Sequence, residues 1–379
     1  MKKLGLYVHI PFCERKCNYC DFYSVEKSDS IEKQYVDALI KEIKSYENNI
    51  KGYIVDSIFI GGGTPSYLNH ENIGLILDEI RNTFILTDDV EISLEANPNS
   101  ITSDKVLNYK KYGINRMSVG IQSLDRNILK TIGRLHDSKE ALDAIETIKK
   151  AGIDNINADI MFNIPGQDTN SLKDTLEQII SSDVKHISFY SLKLEEDTTL
   201  YKMEAKKLVE MPDEDSERDV YYEGRELMEA RGYIQYEISN FSKPNYECRH
   251  NIKYWTGGEY IGFGPFAHSC FENKRYNNIS DIKYYCENIK EPDKFRQLNE
   301  VLSKESKMFE YIMLRLRMNS GIIIEDFNRE FEKDFMSIYE NQIKNLLEYQ
   351  LIDINNGRLK LTKKGMDVSN YVFEQFLSD

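Results

Sequence analysis

The segment Cys13-Glu14-Arg15-Lys16-Cys17-Asn18-Tyr19-Cys20 decides how the rest of this chain is interpreted. Its three cysteines have C-x3-C-x2-C spacing and follow an apolar run. Three thiolates at this spacing can hold three corners of a [4Fe-4S] cube and leave the fourth iron without a protein ligand. An open iron can chelate a small molecule, and the amino and carboxylate groups of S-adenosylmethionine suit that role. The segment therefore predicts one-electron chemistry at a cluster.

Two other uses of clustered cysteines agree less well with the sequence. A structural zinc site usually takes four ligands from two paired motifs, and the chain has no second C-x2-C or H-x3-H motif. A disulfide framework needs an oxidising compartment and usually a small chain. The N-terminal residues are too few and too polar for a signal peptide, and no apolar run of 18 residues occurs. We therefore expect a cytoplasmic protein, which leaves peripheral contact with a membrane face open.

Size and charge limit the partners. The chain has 379 residues, of which 41% are hydrophobic and 30% charged, and a formal net charge of −14. This length suits one large domain with one or two small ones. Because a strongly acidic chain is repelled by a nucleic-acid backbone, we expect no nucleic-acid partner.

Apolar, β-branched runs alternate with amphipathic helical patterns over the first two thirds of the chain. The predicted strands are Gly5–Ile10, Ser57–Ile60, Glu91–Glu95, Arg116–Gln122, Asn155–Phe162 and His186–Leu192. The predicted helices are Ile31–Tyr46, Ile73–Asn82, Thr102–Tyr112, Lys139–Lys150 and Thr169–Ser181. Such alternation is typical of parallel βαβ units. About six units form a partial (β/α)6 barrel, which places the chain in the α/β class.

Polar and glycine-rich residues follow the predicted strands at their C-terminal ends. Strand two ends in Gly61-Gly62-Gly63-Thr64-Pro65, and Glu95 and Gln122 end strands three and four. The C-terminal rim is where barrels of this class build their active sites. Glycines let the backbone approach a cofactor, although they also suit a plain strand-to-helix turn. Asp159 lies in an apolar strand and needs a partner if buried; Arg134 is the predicted cation, either for Asp159 or for a cofactor carboxylate.

The pattern changes after residue 205, and we predict domains at 1–205, 206–300 and 301–379. In the middle domain the sequence predicts an acidic loop over 208–219, a helix over 220–231, a strand over 233–241 and an irregular aromatic-rich segment over 248–269. In the last domain it predicts helices over 304–317, 324–331, 336–349 and 364–377, with a hairpin over 351–361. This small α+β domain resembles a winged helix. Residues 306–379 contain 10 basic and 12 acidic side chains, whereas DNA-binding domains are normally basic.

Histidines outside the cluster loop are candidate haem ligands. His250 lies near Tyr254 and Trp255, so it suits a haem iron with aromatic rings packed on the macrocycle. A capping or core histidine is the competing interpretation. Further candidates of the same kind are His9, His268 and Cys248. We expect Cys270 and Cys286 to be buried small hydrophobic residues.

The segment Tyr7–Cys13, with Cys17 and Cys20, resembles the radical S-adenosylmethionine family of oxygen-independent coproporphyrinogen III oxidases. Further matching segments at 61–65, 120–122 and 250–255 and in the C-terminal domain extend the resemblance over nearly the whole chain. Within that family the chain is most similar to the branch regarded as haem chaperones. The resemblance implies that Cys13, Cys17 and Cys20 hold the cluster and that His250 belongs to a haem-associated segment. Positions matching cofactor contacts of the oxidase are Tyr7, Tyr19, Gly62, Gly63, Thr64, Glu95, Gln122, Arg134, Asp159 and, less closely, Ser191.

Two departures from the oxidase pattern affect the predicted function. The oxidase has a further cysteine two residues after the third, where this chain has Phe22, and it has a long extension where only 12 residues precede Cys13 here. Both favour a chaperone that binds haem and delivers it to acceptor haemoproteins; the alternative is an oxygen-independent coproporphyrinogen III oxidase. The resemblance implies a [4Fe-4S] cluster and S-adenosylmethionine as cofactors, haem as cargo, and respiratory, membrane-associated acceptors. Whether the protein cleaves S-adenosylmethionine as an enzyme, and whether it forms a homodimer, stays open.

Overall fold

The computed structural model describes residues 1–47 and 50–377. The strands are β1 Lys2–Ile10, β2 Phe12–Cys13, β3 Val25–Glu26, β4 Tyr53–Gly62, β5 Leu86–Ala96, β6 Arg116–Gln122, β7 Asn155–Phe162, β8 His186–Ser191, β9 Ile234–Glu237, β10 Asn240–Ser242, β11 Tyr260–Phe263, β12 His268–Phe271, β13 Lys274–Asn278, β14 Arg296–Val301, β15 Ile322–Ile323, β16 Ile352–Asn355 and β17 Arg358–Leu361. The helices are α1 Asp29–Lys44, α2 His70–Thr83, α3 Ser103–Lys111, α4 Arg126–Thr131, α5 Ser138–Lys150, α6 Thr169–Ser181, α7 Thr199–Ala205, α8 Glu214–Ala230, α9 Arg249–Trp255, α10 Ile282–Glu287, α11 Pro292–Phe295, α12 Lys304–Leu316, α13 Ile324–Phe331, α14 Phe335–Ile338, α15 Glu340–Glu348, α16 Lys363–Asp367 and α17 Ser369–Glu374.

A 12-stranded sheet forms the body of the protein, in the order β14-β13-β12-β11-β1-β4-β5-β6-β7-β8-β10-β9. The strands from β11 to β8 are mutually parallel, and antiparallel strands extend the sheet at both ends. The predicted α/β fold with six parallel βα units is therefore confirmed. In β1, the residues from Leu4 to Ile10 are all buried except the half-buried Tyr7, as expected of a parallel sheet covered on both faces.

The inward face of the barrel is unusually polar. Arg116 of β6 donates to Ser93 of β5 over 3.4 Å, and His186 of β8 contacts Asn157 of β7 over 2.6 Å. Burying these groups is tolerated because each finds a hydrogen-bond partner on a neighbouring strand. The polar interior leads to the rim at which the cysteine loop lies.

The middle of the chain is more regular than predicted. The segment over 248–269 is not irregular: it forms α9, the additional parallel strand β11 and the start of β12. The predicted strand over 233–241 is two strands, β9 and β10, paired antiparallel. The predicted acidic loop is wrong in its second half, because α8 begins at Glu214. The side chain of Asp213 caps that helix by accepting from the backbone of Ser216 over 2.8 Å, and acidic residues in a first turn favour the helix dipole.

The C-terminal domain has its own apolar core and a three-stranded antiparallel sheet in the order β15-β17-β16. Helices α12–α17 pack around this sheet, which agrees with the predicted winged-helix-like α+β arrangement. The predicted helix over 336–349 is interrupted at Tyr339, and the last predicted helix is interrupted at Val368. Across the described residues, none of the helices is both long and apolar enough to cross a membrane.

Candidate functional site at the barrel rim

The cysteine loop leaves β1 and crosses the C-terminal rim of the barrel. Cys13, Cys17 and Cys20 are free, half-buried thiols. Asn18 fixes the loop: its backbone N–H donates to the carbonyl of Ile132 over 2.9 Å. Its side-chain amide donates to the carbonyl of Thr131 over the same distance, 2.9 Å. The loop is therefore held against the end of α4 before any cofactor binds.

Two donors approach the thiols from other parts of the rim. Thr64 donates its hydroxyl to Sγ of Cys13 over 3.5 Å, and Arg134 donates Nη1 to Sγ of Cys17 over 3.6 Å. Burial raises the pKa of Cys13, and it raises the pKa of Cys20 to about 11. Without a metal these two thiols keep their protons, so metal binding has to release protons.

Within residues 1–47 and 50–377 there is no group of three His, Cys, Asp or Glu side chains arranged for a single metal ion. A [4Fe-4S] cube binds each cysteine at a different corner, so it does not require three ligands converging on one ion. The donor set of three accessible thiols, with hydrogen-bond donors beside two of them, fits such a cluster.

The glycine run at the end of β4 packs directly against the cysteine loop. A Cβ on Gly63 would lie 2.8 Å from the carbonyl oxygen of Phe12 and 3.1 Å from Sγ of Cys13. Gly62 has φ 110°, and a Cβ there would lie 2.6 Å from the ring of His9. Both positions therefore need glycine for close backbone approach, and the left-handed conformation adds a second reason at Gly62.

Glu95 and Asp159 stand near each other at the mouth of the barrel. Oε2 of Glu95 accepts from the backbone N–H of Gly62 over 3.0 Å. Burial, followed by the nearby Asp159 carboxylate, raises the pKa of Glu95 to about 8. Asp159 accepts from Asn157 over 2.7 Å and from Ser118 over 3.2 Å, and burial raises its pKa as well.

Of the two partners predicted for Arg134, Asp159 is wrong, and a cofactor carboxylate stays a prediction. Arg134 instead donates Nη2 to Oδ1 of Asn97 over 2.8 Å and to the carbonyl of Gly120. Asn97 in turn donates to Thr64 over 3.1 Å. Amide and hydroxyl partners thus replace the expected carboxylate, since Asn157 and Ser118 already satisfy Asp159. Asn97 is a rim residue that sequence reasoning missed, although it lies two positions after Glu95.

Gln122 is buried at the rim, and Tyr19 is half-buried there. Gln122 has the left-handed φ of 68°, and its Oε1 accepts from the hydroxyl of Tyr190 over 2.8 Å. Tyr19 packs against the apolar cluster that includes Ile132 and Leu200, and burial raises its pKa. These contacts bring Gln122 and Tyr19 to the same side of the rim as Arg134.

Ser191, at the end of β8, contacts α8. Its hydroxyl donates to Oε1 of Glu217 over 2.5 Å, while Asn163 donates to Oε2 of Glu217 over 3.0 Å. Glu217 is a second residue missed from the sequence, because it falls in the segment predicted to be an acidic loop. The first turns of α8 contain few apolar residues at helical spacing, so the sequence pattern does not indicate a helix there.

A cavity of about 610 Å³ opens beside the rim, between the β1–β11–β12 edge of the sheet and the C-terminal domain. Seven aromatic side chains line it: Tyr7, Phe22, Tyr254, Trp255, Tyr260, Phe266 and Tyr311. Four cations also reach it: Lys2, Arg275, Lys307 and Arg315. Tyr7 belongs both to this cavity and to the rim, since its hydroxyl contacts Nδ1 of His9 over 3.0 Å.

The structure places His250 in the core beneath this cavity. The ring is fully buried, with Nδ1 3.0 Å from the hydroxyl of Ser57 and Nε2 2.8 Å from that of Tyr254. It stacks on Phe59 at a centroid distance of 5.4 Å. Burial, followed by the charge of Lys253, lowers the pKa of His250 to about 3. In this arrangement neither ring nitrogen has a free position for an iron.

Comparison with known proteins connects these features with a family. Residues 7–179 match the Radical SAM superfamily, and residues 302–368 match the HemN C-terminal domain. A protein of Lactococcus lactis subsp. lactis named "Heme chaperone HemW" is 35% identical, with 100% of this chain and 98% of the relative covered. The protein of the same name from Bacillus subtilis is 33% identical, with 98% and 99% covered.

A solved structure has the same overall fold. It is described as coproporphyrinogen III oxidase (HemN) from Escherichia coli, a radical SAM enzyme. The two structures superpose with a TM-score of 0.87 at 22% identity, covering 100% of this chain and 90% of the other. At that identity the likeness shows a shared fold and nothing more specific.

Proposed function

The chain belongs to the HemW family of radical SAM proteins, and from this premise we propose that it binds haem and delivers it to acceptor haemoproteins. The relatives from Lactococcus lactis and Bacillus subtilis carry the name heme chaperone. Membership in the radical SAM superfamily implies a [4Fe-4S] cluster and S-adenosylmethionine as cofactors.

The aromatic cavity is the observation that carries the haem proposal. Its volume of about 610 Å³ falls within the range of about 300–1,000 Å³ that is usual for sites of small organic ligands. Flat aromatic walls suit a porphyrin macrocycle. The cations at its edge suit the two propionate groups, because Arg and Lys form strong charge-assisted hydrogen bonds with carboxylates.

The rim is the proposed cofactor site. Cys13, Cys17 and Cys20 would hold the cluster. Residues proposed to contact S-adenosylmethionine are Tyr7, Tyr19, Gly62, Gly63, Thr64, Glu95, Gln122, Arg134, Asp159 and Ser191. When bound, the reduced cluster supplies one electron for cleavage of that cofactor.

The chain's own groups prepare the rim for this chemistry. Thr64 and Arg134 would donate to the thiolates of Cys13 and Cys17, two of the three that would hold the cluster, and would stabilise their negative charge. Gly62 and Gly63 let the end of β4 pack against His9 and the cysteine loop, which holds the loop at the rim. The Glu95 carboxyl keeps its proton at neutral pH, so it is able to donate a hydrogen bond at the barrel mouth. Whether this chemistry accompanies haem transfer is tested by measuring 5′-deoxyadenosine under anaerobic reducing conditions.

We further propose a cytoplasmic location, where exposed thiols stay reduced, and respiratory haemoproteins at the membrane as acceptors. The test is transfer of haem from the loaded protein to a haem-free respiratory cytochrome. Hemin bound to serum albumin serves as the non-specific control. Faster or more complete loading by the chaperone than by albumin supports delivery, and equal loading contradicts it.

The second candidate function is oxygen-independent oxidation of coproporphyrinogen III. It is favoured by the position of the cavity, because Phe22 of the cluster loop forms part of its wall and a porphyrinogen there would lie near the cofactor. An anaerobic assay with S-adenosylmethionine and reductant separates the two functions. Sustained formation of protoporphyrinogen would show the oxidase function in place of the chaperone function. We expect no such product.

A further inference from the structure

We propose that His268, on the exposed face of β12, is the axial ligand of haem iron in the aromatic cavity. This assignment rests on the proposed haem-binding function. It differs from the expectation based on family resemblance, which pointed to His250.

The β12–β13 hairpin carries the candidate ligands His268 and Cys270 on the face that lines the cavity. His268 and Cys270 alternate with the buried Ser269 and Phe271 along the strand, so both point to the cavity that they line. Cys270 pairs in register with Arg275 of β13. A candidate ligand and a cation thus lie on the same side of one rigid antiparallel pair.

The ring of His268 is accessible to a ligand, in contrast to the two other histidines nearby. Its ring contacts the edge of Phe266 at a centroid distance of 5.6 Å. His250 has both nitrogens engaged and no exposed surface. His9 also lines the cavity, and its Nε2 has no partner among the described residues, but the ring is only 3% exposed and its Nδ1 is occupied by Tyr7. Ligation by His268 requires no buried hydrogen bond to break, whereas ligation by His250 requires the loss of one.

The protonation state also suits iron binding. Partial covering of the ring, followed by the charge of Arg275, lowers the pKa of His268, which favours the neutral imidazole at physiological pH. Neutral imidazole is the form that ligates haem iron. Cys270 lies on the same face and lines the same cavity, so it is the competing ligand that the Cys270→Ala variant tests.

The opposite wall supplies partners for the propionates. Helix α12 presents Lys307, Tyr311 and Arg315 to the cavity, at the spacing of one helical face. The guanidinium of Arg315 lies 3.5 Å from the ring centre of Tyr311. Arg275, on the hairpin wall, pairs with Glu310 of α12 over 2.8 Å, and Lys307 donates to Asn273 of the hairpin over 2.6 Å, so a propionate would have to replace these partners at Arg275 and Lys307. A porphyrin lying between β12 and α12 would have its iron near the hairpin and its carboxylates near these cations.

The experiment is a hemin titration of the full-length protein, followed by absorbance and electron paramagnetic resonance. The variants are His268→Ala, His268→Tyr, Cys270→Ala and His250→Ala, with His70→Ala on the distant helix α2 as the matched control. We expect His268→Ala to weaken binding by about tenfold or more and to change the Soret maximum and spin state. Added imidazole should restore the wild-type spectrum, and His268→Tyr should give a tyrosinate-ligated spectrum.

The outcomes separate the ligand from the function. If the wild-type protein gives no saturable Soret band, the haem-binding function itself fails. If it binds hemin and both His268 variants keep the wild-type spectrum and affinity, the ligand assignment fails while the function stands. A wild-type spectrum in the His268 variants, together with a changed one in Cys270→Ala or His250→Ala, transfers the role to that residue. Because His268 is exposed, its variants should fold, which circular dichroism checks.

Discussion

The backbone N–H of Gly62 donates to Oε2 of Glu95 over 3.0 Å and ties the end of β4 to the end of β5. A Cβ on the preceding Gly61 would lie 2.9 Å from the same oxygen. The carboxyl group is therefore held between two strand ends, where burial and the nearby Asp159 raise its pKa to about 8. The rim thus contains a neutral acid at pH 7, beside the loop that holds the cysteines.

The first prediction concerns Glu95→Gln and pH. Below about pH 4.5 the group is protonated in both states. Between that pH and about 8 only the unfolded state releases the proton, so the free energy of unfolding of the wild-type protein falls as the pH rises. The Glu95→Gln side chain has no proton to release, so the variant does not lose stability in this way as the pH rises. We expect the free energy of unfolding of the variant, relative to wild type, to increase by about 2 kcal/mol from pH 5 to pH 9. This is less than the full effect of the pKa shift, because water reaches the barrel mouth.

Chemical denaturation of the cluster-free protein under anaerobic conditions measures this difference. Glu348→Gln, on the exposed surface of α15, is the control and should follow the wild-type pH profile. A Glu95→Gln protein whose stability relative to wild type does not change with pH would show that the carboxyl titrates normally.

The second prediction is that Gly63→Ala impairs cluster incorporation. The new Cβ would press on the carbonyl of Phe12 at 2.8 Å and on Sγ of Cys13 at 3.1 Å. Backbone atoms cannot rotate away, so the cysteine loop must shift, at a cost of about 1–3 kcal/mol. We expect iron content after reconstitution to fall below about half of the wild-type value, as measured by iron analysis and absorbance.

Gly357→Ala is the control for general destabilisation. Gly357 has a φ of 71°, so alanine strains its backbone, but a Cβ there meets nothing within 4 Å and the position lies in the C-terminal hairpin, away from the rim. Equal iron content in Gly63→Ala and wild type would mean that the loop adjusts freely.

The regular part of the fold was predictable because its signals are local. The limits of β6, β7 and α6 were predicted without error, since continuous apolar runs and capping residues such as Asp168 mark them. The polar residues at strand ends identified the rim for the same reason. Parallel strands bring their C-terminal ends to one edge, so residues far apart in sequence could be assigned to one site.

Contacts between distant segments could not be predicted in this way. The ring of His250 reaches Ser57, which is 193 positions earlier, and no local pattern shows that helix α9 inserts beneath the barrel. The pairing of Arg134 with Asn97 instead of Asp159 depends likewise on how three strand ends converge. Strand β11 was missed because its four residues contain a glycine and follow a turn, so the alternation is too short to detect.

The third prediction concerns acid stability and His250→Gln. The buried ring has a pKa of about 3, whereas an unfolded histidine titrates near 6.5. Between these values only the unfolded state takes up the proton, so the free energy of unfolding falls as the pH decreases. The His250→Gln variant should be less stable than wild type at pH 7 by about 1–3 kcal/mol, because the contacts of the ring with Ser57 and Tyr254 are disturbed. It should also lose about 2 kcal/mol less than wild type between pH 7 and pH 5.

Thermal or urea unfolding at several pH values tests both effects. Glu348→Gln, at the exposed position of α15 used above, is the control and should keep the wild-type pH slope. If the two slopes for wild type and His250→Gln are the same, the ring is not held neutral in the folded protein.

The fourth prediction concerns Phe22, which stands where the related oxidase pattern has a further cysteine. Its side chain is 58% exposed and lines the aromatic cavity. An aromatic ring stacked on a macrocycle contributes about 0.5–1.5 kcal/mol beyond its area, so Phe22→Ala should weaken hemin binding by roughly two- to tenfold. The cluster should form normally, because no cysteine is changed.

Tyr349→Ala is the control: it removes an equally exposed aromatic ring, also 58%, from the C-terminal domain outside the cavity. This variant should bind hemin as wild type does. The titration thus compares two similar losses of aromatic surface, and equal affinities in the two variants would place the haem outside the cavity that Phe22 lines.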